Sequence, residues 1–324
     1  MNEPDTQPKP VTIAVVSWNT RPLLERCLES ARDASDAGLA DVWVLDNASS
    51  DGSPELVRER FPWVRLIASE ENLGFGAGVN EIAAQTRSSW IAPANADIRL
   101  TPGALERLLA EGERHPEAGA IAPRLILPGG STQHSVYPFP TIPFTLAYVV
   151  GATRASDRLA RHWCIEQGFD PERGREVSWA VGAFLLVRRR AWNQVGGFDS
   201  GQWMYAEDLD LGWRLARHGW KARYVPEARV HHEESAATTQ AWGDDRHQRW
   251  HASTYAWMAR RRGLAVARAV AAINVVGFRM RSLAALPASL LGSGRARAAR
   301  RNALGAARSH RVGLAPRSTL ERVP

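Results

Sequence analysis

Short apolar runs alternate with longer amphipathic segments along the first two thirds of the chain. The runs are rich in valine, isoleucine and alanine and are followed by polar or glycine-containing turns, which is typical of buried strands. Pro22, Pro54 and Pro102 mark the start of segments with apolar residues at helical spacing. The predicted strands span residues 11–16, 42–45, 64–68, 90–92, 120–127 and 183–187. Strands that alternate with helices predict an α/β fold whose mostly parallel sheet is flanked by helices.

Three polar residues come directly after predicted strands. Asn19, Asp46 and Asp97 each follow an apolar run, and parallel sheets bind ligands beyond the carboxyl ends of their strands. We therefore expect these residues to form one site. Asp97 could hold a divalent cation such as Mg²⁺ or Mn²⁺, which prefers oxygen ligands, although an isolated aspartate at a strand end can also simply form a turn.

Two further segments allow two interpretations each. The glycines of residues 74–78 do not match the dinucleotide-binding pattern G-x-G-x-x-G. They suit either close approach of the backbone to a ligand phosphate or tight packing of a loop. His231 and His232 are adjacent, so on a strand they point to opposite faces and only one can reach a site. We favour His232, with a purely structural role as the alternative.

Glu207 and Asp208 lie at the predicted start of a helix whose apolar face contains Leu209, Leu211 and Leu215. Acidic residues in a first turn are favoured by capping and by the helix dipole, which explains them without any function. The alternative is a general base that faces a substrate, next to an aromatic and apolar cluster suited to a sugar. That cluster consists of Trp203, Met204 and Tyr205. Asp210 is a third nearby acid, whose charge we expect to raise the proton affinity of Asp208.

Charge is distributed unevenly along the 324 residues. The whole chain has 41 basic and 34 acidic residues. Residues 251–324 contain 14 of the arginines and one glutamate, which gives this tail a net charge of +13. The remaining 27 basic and 33 acidic residues give the rest of the chain a net charge of −6. Such a tail indicates an anionic partner, either membrane or nucleic acid. No folded nucleic-acid motif accompanies it, so a nucleic acid is not expected. Two cysteines do not form a disulfide framework, and the polar residues 1–10 resemble a loose tail rather than a targeting peptide, which favours the cytoplasm.

The basic tail also contains an apolar stretch, residues 263–292, which three arginines and a proline interrupt. Its longest segment free of both charge and proline, 269–278, is ten residues, whereas a membrane span needs roughly 20 apolar ones. We expect helices that lie in the membrane interface, with a basic patch for anionic lipid. The alternative is packing against the catalytic body, with solvated arginines. The patch consists of Arg295, Arg297, Arg300, Arg301 and Arg308.

Eight motifs in order now identify a family by resemblance. They are VVSWN at 15–19, LDNASSDGS at 45–53, ENLGFGAGVN at 71–80, NAD at 95–97, GAFLLVRR at 182–189, VGGFD at 195–199, YAEDLDLGWRL at 205–215 and VHH at 230–232. Together they resemble the family-2 glycosyltransferases of GT-A fold, and most of all the branch with bacterial rhamnosyltransferases that act on lipid-linked cell-wall precursors. The resemblance covers residues 11–260.

The resemblance implies a role for each part of the site. Asp208 is the catalytic base, with Glu207 beside it, and Asp97 and His232 belong to a Mg²⁺ or Mn²⁺ site. Asn95 replaces the first aspartate of the usual D-x-D, which bears on how tightly metal binds. The residues implied in nucleotide binding are Val16, Ser17, Asn19, Asp46, Asn72, Gly76, Asn80, Asn95 and Ala96, with Asp46 reading the base. Those implied in the sugar and acceptor pocket are Gly182, Ala183, Trp203 and Tyr205.

The function expected from this resemblance is inverting transfer of a sugar from a dTDP- or UDP-sugar, foremost L-rhamnose from dTDP-rhamnose. The expected acceptor is a glycan or a polyprenyl-diphosphate-linked saccharide. A nucleotide-sugar or glycan-binding protein without turnover is the alternative. We expect a loose tail at 1–10, a GT-A domain at 11–260 and a basic helical extension at 261–324 that places the enzyme peripherally at the inner face of the membrane.

Overall fold

The structure is a computed structural model that describes residues 8–202, 205–233 and 246–320. Within these residues the chain divides into two compact units. The first combines 8–137 with 170–233, and the second combines 138–169 with 246–320. Residues 138–169 therefore pack with the C-terminal helices. The expected domain boundaries stay a prediction.

A mixed, mostly parallel sheet with helices around it forms the first unit, as predicted. Its strands are β1 Val11–Ser17, β2 Ala40–Asn47, β3 Arg65–Ser69, β4 Trp90–Asn95, β5 Ile98–Leu100, β6 Ala118–Ile126, β8 Arg175–Val177, β10 Leu186–Arg188 and β11 Lys221–His232, while β7 Val136–Tyr137 and β9 Trp179–Ala180 pair separately. The strand order is β3-β2-β1-β4-β10-β6-β11-β5, with β8 beside β11. The helices of this unit are α1 Arg21–Asp36, α2 Ser53–Arg60, α3 Phe75–Ala84, α4 Ala104–Arg114, α8 Arg189–Val195 and α9 Glu207–Arg217.

The core lies on both faces of the central strands. Val11, Ile13 and Val15 of β1 are fully buried on one face, and Thr12 and Ala14 on the other are buried as well. A central parallel strand is covered by helices on both sides, which explains its unbroken apolar sequence. The parallel pairs β3-β2, β2-β1 and β1-β4 bring the ends of β1, β2 and β4 to one edge.

The run at 183–187 differs from the strand predicted there. Only Leu186–Arg188 forms a regular strand, and it runs antiparallel between β4 and β6. Before it, the carbonyl of Ala183 accepts the N–H of Asn95 at 2.9 Å, and Phe184 makes an isolated bridge to Ala94. The segment is buried because it inserts into the sheet, but its first half follows the end of β4 instead of continuing the ladder.

The second unit is helical. Its helices are α5 Ile142–Val149, α6 Ala152–Ala155, α7 Asp157–His162, α10 Arg246–Arg262, α11 Leu264–Ala284, α12 Leu286–Leu290, α13 Gly294–Ser309 and α14 Arg317–Leu320, with 3-10 turns at Glu166–Gly168 and His310–Leu314. Tyr255 donates or accepts a 2.8 Å hydrogen bond with His310 Nδ1, and His310 stacks on Phe278. Burial lowers the pKa of His310 to about 3, so this packed imidazole is neutral. In the part of the chain that is described, no helix is both long and apolar enough to cross a membrane.

Candidate active site

Asp46 lies at the end of β2, and one of its two carboxylate oxygens accepts no hydrogen bond from the described residues. Its Oδ2 accepts the N–H of Ser49 at 2.8 Å, whereas Oδ1 is buried and has no hydrogen-bond partner among the described residues. Burial raises the pKa of Asp46 above its usual value, against the Ser49 hydrogen bonds that lower it. A buried carboxylate oxygen without a partner is costly unless a ligand donates to it. This position therefore suits recognition of an N–H group on a bound base.

Asn19 joins the loops that follow β1 and β2. Its N–H donates to Ser49 Oγ at 2.9 Å, and its side-chain Oδ1 accepts the N–H of Ser50 at 2.8 Å. The residue is left-handed, with φ +50°, a conformation that asparagine tolerates better than most residues. Ser17 is used internally as well, in a 3.1 Å hydrogen bond with Thr20. Asn19 and Ser17 thus shape the edge beside Asp46.

The glycine-rich loop before α3 is held by Asn47, which the sequence analysis did not single out. Asn47 donates through Nδ2 to the carbonyl of Gly74 at 3.3 Å and accepts the N–H of Leu73 at 3.2 Å. Asn72 Oδ1 caps the same turn by accepting the N–H of Gly74 at 2.9 Å. A polar side chain at the end of β2 therefore fixes the loop that follows the neighbouring strand β3. The position of Asn47 at a strand end is the sequence feature that could have indicated this role.

Close packing explains two glycines of this loop. A Cβ on Gly78 would lie 3.1 Å from Val16 Cγ2, and one on Gly76 would lie 3.0 Å from the Cβ of Phe198. Both distances are shorter than ordinary contacts, so α3 sits closer to its neighbours than a side chain would allow. Of the two interpretations of this loop, the geometry shows the packing one. Contact of Gly76 with a nucleotide stays a prediction.

Asn80 of α3 clamps the loop that precedes α9. Its Oδ1 accepts the N–H of Phe198 at 2.9 Å, and its Nδ2 donates to the carbonyl of the same residue at 2.9 Å. The Phe198 ring then packs edge-on against Phe75 and Trp192. Because both polar atoms of the Asn80 side chain are engaged, its place in this structure is that of a positioning residue.

Asp97 and His232 meet beyond β4 and β11. Asp97 Oδ1 lies 3.3 Å from His232 Nε2, and the two side chains are 8% and 4% exposed. This Oδ1 is buried without a hydrogen bond. The Nδ2 of Asn95 lies 3.4 Å from the same imidazole nitrogen. Three of the predicted site residues are therefore brought together, with Ala96 buried in the turn that joins two of them.

Gln133 orients the imidazole of His232. His232 Nδ1 lies 2.7 Å from Gln133 Oε1, so Nδ1 carries the proton and Nε2 presents its lone pair toward Asp97. The lone pair of Nε2 accepts a long hydrogen bond from Asn95 Nδ2 at 3.4 Å, and the Asp97 oxygen beside it has no hydrogen bond. These two atoms fit a shared cation. Hard oxygen and imidazole nitrogen are ligands that Mn²⁺ and Mg²⁺ accept.

These two ligands leave most of a cation's coordination shell to other molecules. Within the described ranges, no three histidine, cysteine or acidic side chains cluster as a metal site. The nearby Cys27 is no thiolate ligand, because burial, followed by the charge of Asp97, raises the pKa of its thiol to about 12. The pair fits a cation that also binds substrate phosphates.

Asp208 is held at the first turn of α9 by backbone donors. Its Oδ2 accepts the N–H of Gly182 at 3.1 Å, and its Oδ1 accepts the N–H of Leu209 at 2.7 Å. Tyr205 and Ala206, which precede the helix, are both left-handed, with φ +61° and +65°. Such conformations cost free energy in non-glycine residues and cluster at functional sites. The local backbone is thus bent to present this carboxylate. Trp203, predicted in the same pocket, lies outside the described residues.

Burial raises the pKa values of both Glu207 and Asp208. Burial, followed by the charge of Asp208, raises the pKa of Glu207 to about 8, and its Oε2 is buried without a hydrogen bond. Burial raises the pKa of Asp208 too, but the N–H groups of Gly182 and Leu209 lower it. Hydrogen bonds to a charged carboxylate favour its ionised form. The pKa of about 8 keeps Glu207 protonated at neutral pH, and the two N–H donors favour the ionised form of Asp208 against the effect of burial.

Asp210 does not act on Asp208 as the sequence analysis expected. It is fully buried and lies 2.6 Å from Arg214 Nε, one turn along α9. Burial raises the pKa of Asp208, and burial followed by the charge of Asp208 raises that of Glu207. Asp210 instead fixes Arg214, whose NH1 donates to the carbonyl of Val195 at 2.5 Å.

Residues 182 and 183 connect the two halves of the site. Ala183 accepts the N–H of Asn95, next to the Asp97–His232 pair, and the adjacent Gly182 donates to Asp208. A Cβ on Gly182 would lie 3.4 Å from the Cβ of Asp208, so little space separates them. The candidate cation ligands and the candidate base are therefore linked by one short stretch of backbone.

Comparison with solved structures identifies the fold. A mannosyltransferase from Pyrobaculum calidifontis, solved with GDP-Man and Mn²⁺, aligns at TM-score 0.56 and 18% identity over 94% of this chain and 87% of its own. GalNAc-T7, solved with UDP, GalNAc and Mn²⁺, aligns at TM-score 0.54 and 14% identity over 79% of this chain and 52% of its own. The fold is that of the GT-A glycosyltransferases.

Sequence comparison gives the family. Residues 12–194 match Glycosyl transferase family 2, and residues 173–292 match Glycosyl transferase family 21. The chain is 33% identical, over 76% of its length and 88% of the relative, to the N-acetylglucosaminyl-diphospho-decaprenol L-rhamnosyltransferase of Mycobacterium tuberculosis strain H37Rv. Rhamnosyltransferase WbbL of Escherichia coli K12 is 38% identical over 26% of this chain and 32% of its own. The protein is a glycosyltransferase and belongs to Glycosyl transferase family 2.

Proposed function

We propose that this enzyme transfers L-rhamnose, with inversion, from dTDP-rhamnose to a polyprenyl-diphosphate-linked N-acetylglucosamine acceptor. The donor and acceptor are inferred from the M. tuberculosis relative, whose name states the sugar and the lipid-linked substrate. The structural observation that supports transfer is the Asp208 carboxylate, which accepts two backbone N–H groups beside Glu207, whose pKa burial raises to about 8. Synthesis of a cell-wall or polysaccharide precursor is the process this reaction serves.

Asp208 acts as the general base in this proposal. It removes the proton from the attacking acceptor hydroxyl, whose oxygen forms the new bond to the anomeric carbon. The bond from that carbon to the diphosphate oxygen breaks, and the nucleoside diphosphate leaves with the electron pair. Attack opposite to the leaving group inverts the anomeric centre, so no covalent enzyme intermediate is formed. Glu207, already protonated, does not compete for the acceptor proton.

Asp97 and His232 are the residues that would hold a divalent cation, either Mg²⁺ or Mn²⁺. A bound cation there would stabilise the negative charge that develops on the leaving diphosphate. Gln133 keeps the His232 nitrogen turned toward the site, and Asn95 supplies a neutral neighbour. Asp46 accepts the imide N–H of a thymine or uracil base through its spare oxygen.

The proposed acceptor places the reaction at a membrane surface. A polyprenyl diphosphate stays in the bilayer, so the enzyme meets it peripherally at the inner face. The arginine-rich tail supports this, because each arginine near anionic lipid contributes about 1 kcal/mol of attraction. Gly182, Ala183, Trp203 and Tyr205 are the residues proposed on the acceptor side of Asp208.

The donor is tested by nucleotide release from a panel of sugar nucleotides in the presence of a polyprenyl-diphosphate N-acetylglucosamine. We expect release of dTDP from dTDP-rhamnose, a product one deoxyhexose heavier by mass spectrometry, and loss of both when the metal is chelated. Faster release from a UDP- or GDP-sugar, with its own sugar in the product, would replace rhamnose as the donor. Full activity in chelator would remove the cation from the proposal.

A further inference from the structure

The second unit contains a helix with apolar residues on two opposite sides. α11 buries Ala267, Val270, Ala271 and Val275, yet its opposite side exposes Val276, Met280 and Leu283 to 56%, 64% and 64%. Exposed residues at positions 276, 280 and 283 form one stripe along the helix. The exposed side of α11 therefore combines an apolar stripe with nearby arginines.

α5 lies against the same helix and adds to the exposed apolar area. The two helices cross closely at Gly277, where a Cβ would lie 2.5 Å from the Cβ of Val149. Arg281 of α11 donates through Nε to the carbonyl of Val149 at 2.9 Å and lies over the Tyr148 ring at 5.4 Å. These contacts fix the last turn of α5 next to the stripe. That end of α5 exposes Leu146 and Val150 to 45% and 74%.

α12 follows α11 directly and continues the exposure. Leu290, at its end, and Leu291, directly after it, are 76% and 88% exposed. We call the seven exposed apolar side chains of these three segments the apolar face; they are Leu146, Val150, Val276, Met280, Leu283, Leu290 and Leu291. Exposed apolar side chains that form a patch mark an interaction surface.

The charged residues around the apolar face indicate which kind of partner fits this surface. Among the described residues of the second unit, Asp157 and Glu166 are the acidic ones, while α11 exposes Arg268 and Arg279 on the side of the stripe. Arginine suits an anionic headgroup layer because its apolar stem lies along the acyl region and its guanidinium reaches the phosphates. A second copy of this chain, docked by the same face, would instead bring arginines against arginines.

We propose that the apolar face is the membrane-contacting surface of the enzyme, inserted into the interface of a bilayer with anionic headgroups. The proposal rests on the proposed function and deepens it, since it gives the enzyme a surface for the membrane that holds the lipid-linked acceptor. It also differs from attraction by the basic tail alone. α5 belongs to residues 138–169, outside the tail, and insertion of apolar side chains persists at salt concentrations that screen arginine.

Sedimentation of the full chain with lipid vesicles tests the proposal. Vesicles of equal parts phosphatidylglycerol and phosphatidylcholine should pellet the protein, and salt should release only part of it. The double variant Val150→Asp/Met280→Asp should bind at least about 10-fold more weakly, because burial of each side chain is lost and a charge opposes insertion. The matched control is Leu314→Asp, which replaces an exposed leucine on the 3-10 turn that packs against the inner side of α11. The control should bind as the wild type does, and equal binding by the double variant would overturn the proposal.

A labelled cysteine keeps the test independent of whether the double variant folds. Cys27 and Cys164 are 1% and 5% exposed, so a polarity-sensitive dye will react selectively with Met280→Cys. We expect its emission to shift to the blue on addition of the same vesicles, with no shift for Ala37→Cys on the exposed end of α1. No shift at position 280 contradicts insertion. A shift that depends on protein concentration without vesicles would make a second copy the occupant.

The two proposals fail separately. Neither vesicle assay contains a sugar nucleotide, so loss of the rhamnosyltransferase proposal leaves their results unchanged. Turnover of the double variant adds the link between them. With a short-chain, water-soluble acceptor it should equal the wild type, and with the acceptor embedded in vesicles it should fall about 10-fold or more.

Discussion

The two halves of the active site compensate buried charge in different ways. Asp97 has a buried oxygen without a hydrogen bond, 3.3 Å from the imidazole of His232, and this is the half at which we propose a cation. In the other half, burial raises the pKa of Glu207 to about 8, so this carboxyl group is protonated at neutral pH. We propose that the first half binds the leaving diphosphate through the cation and that the second accepts a proton from the attacking hydroxyl. Buried carboxyl groups in one site can therefore suit opposite steps, because their neighbours differ.

The comparison between the two halves of the site requires that Asp208 is the general base. Asp208→Asn keeps the size of the side chain but can no longer accept the acceptor proton, so we expect turnover to fall at least about 100-fold. Binding of the nucleoside diphosphate should remain within a few-fold, because the nucleotide half is untouched. Steady-state kinetics and calorimetry measure the two quantities. Asp157→Asn, on the exposed surface of the second unit, is the control, and near-normal turnover of Asp208→Asn would remove the residue from the mechanism.

The cation half is tested by Asp97→Asn. We expect the apparent affinity for Mn²⁺ in the presence of dTDP to fall roughly 10- to 100-fold, because a neutral amide replaces a charged ligand. Asp46→Asn should weaken dTDP binding and leave the metal titration unchanged. Electron paramagnetic resonance of free Mn²⁺ gives the metal affinity directly. Identical titrations for wild type and Asp97→Asn would show that the carboxylate does not bind metal.

Substitution of Gln133 tests the cation half as well, and we expect a smaller loss of Mn²⁺ affinity than for Asp97→Asn. Gln133→Leu removes the acceptor for His232 Nδ1 and frees the imidazole to turn, for which a loss of about 10-fold in Mn²⁺ affinity is expected. Turnover at saturating Mn²⁺ should recover most of the wild-type value, which separates ligand orientation from general damage. The control is Gln85→Leu, at an exposed glutamine at the end of α3. An unchanged Mn²⁺ affinity would make Gln133 a purely structural neighbour.

The sequence predicted those parts of the site that depend on local pattern. Asp46 and Asp97 could be placed because each follows an apolar strand, and Glu207 and Asp208 because a helical face begins there. Gln133 could not be placed, since its contact with His232 joins residues 99 apart in sequence. The same limit explains the run at 183–187, whose antiparallel insertion between β4 and β6 depends on partners far along the chain.

The second unit shows a different limit. Helical periodicity and arginine content correctly predicted helices after residue 250. Periodicity alone could not show that 138–169 packs with them, because the contact between Val149 and Gly277 rests on the fit of two backbones. α11 has apolar residues on both sides, so the sequence pattern could not indicate which side is buried. The folded chain buries one set and leaves Val276, Met280 and Leu283 exposed.

Glu207→Gln gives the smallest effect and the sharpest test of the shared proton. Glutamine imitates a protonated glutamate, so if Glu207 is neutral at pH 7, turnover should stay within a few-fold of the wild type. The pH dependence of stability should change more. Glu207 has a pKa of about 8 in the folded enzyme against an ordinary value of 4.5. Between these values the unfolded chain has lost the proton that the native state retains.

The sign of this linkage follows from the number of bound protons. Because the native state binds more protons than the unfolded one from about pH 4.5 to 8, the free energy of unfolding falls as pH rises, by at most about 1.4 kcal/mol per pH unit. Glu207→Gln cannot titrate, so its stability relative to wild type should rise across this window and level off above pH 8. Urea denaturation of both proteins at pH 5, 6, 7 and 8 measures the difference. A constant difference across the series would mean that Glu207 is ionised in the native state, and the proton would then have to be assigned to Asp208.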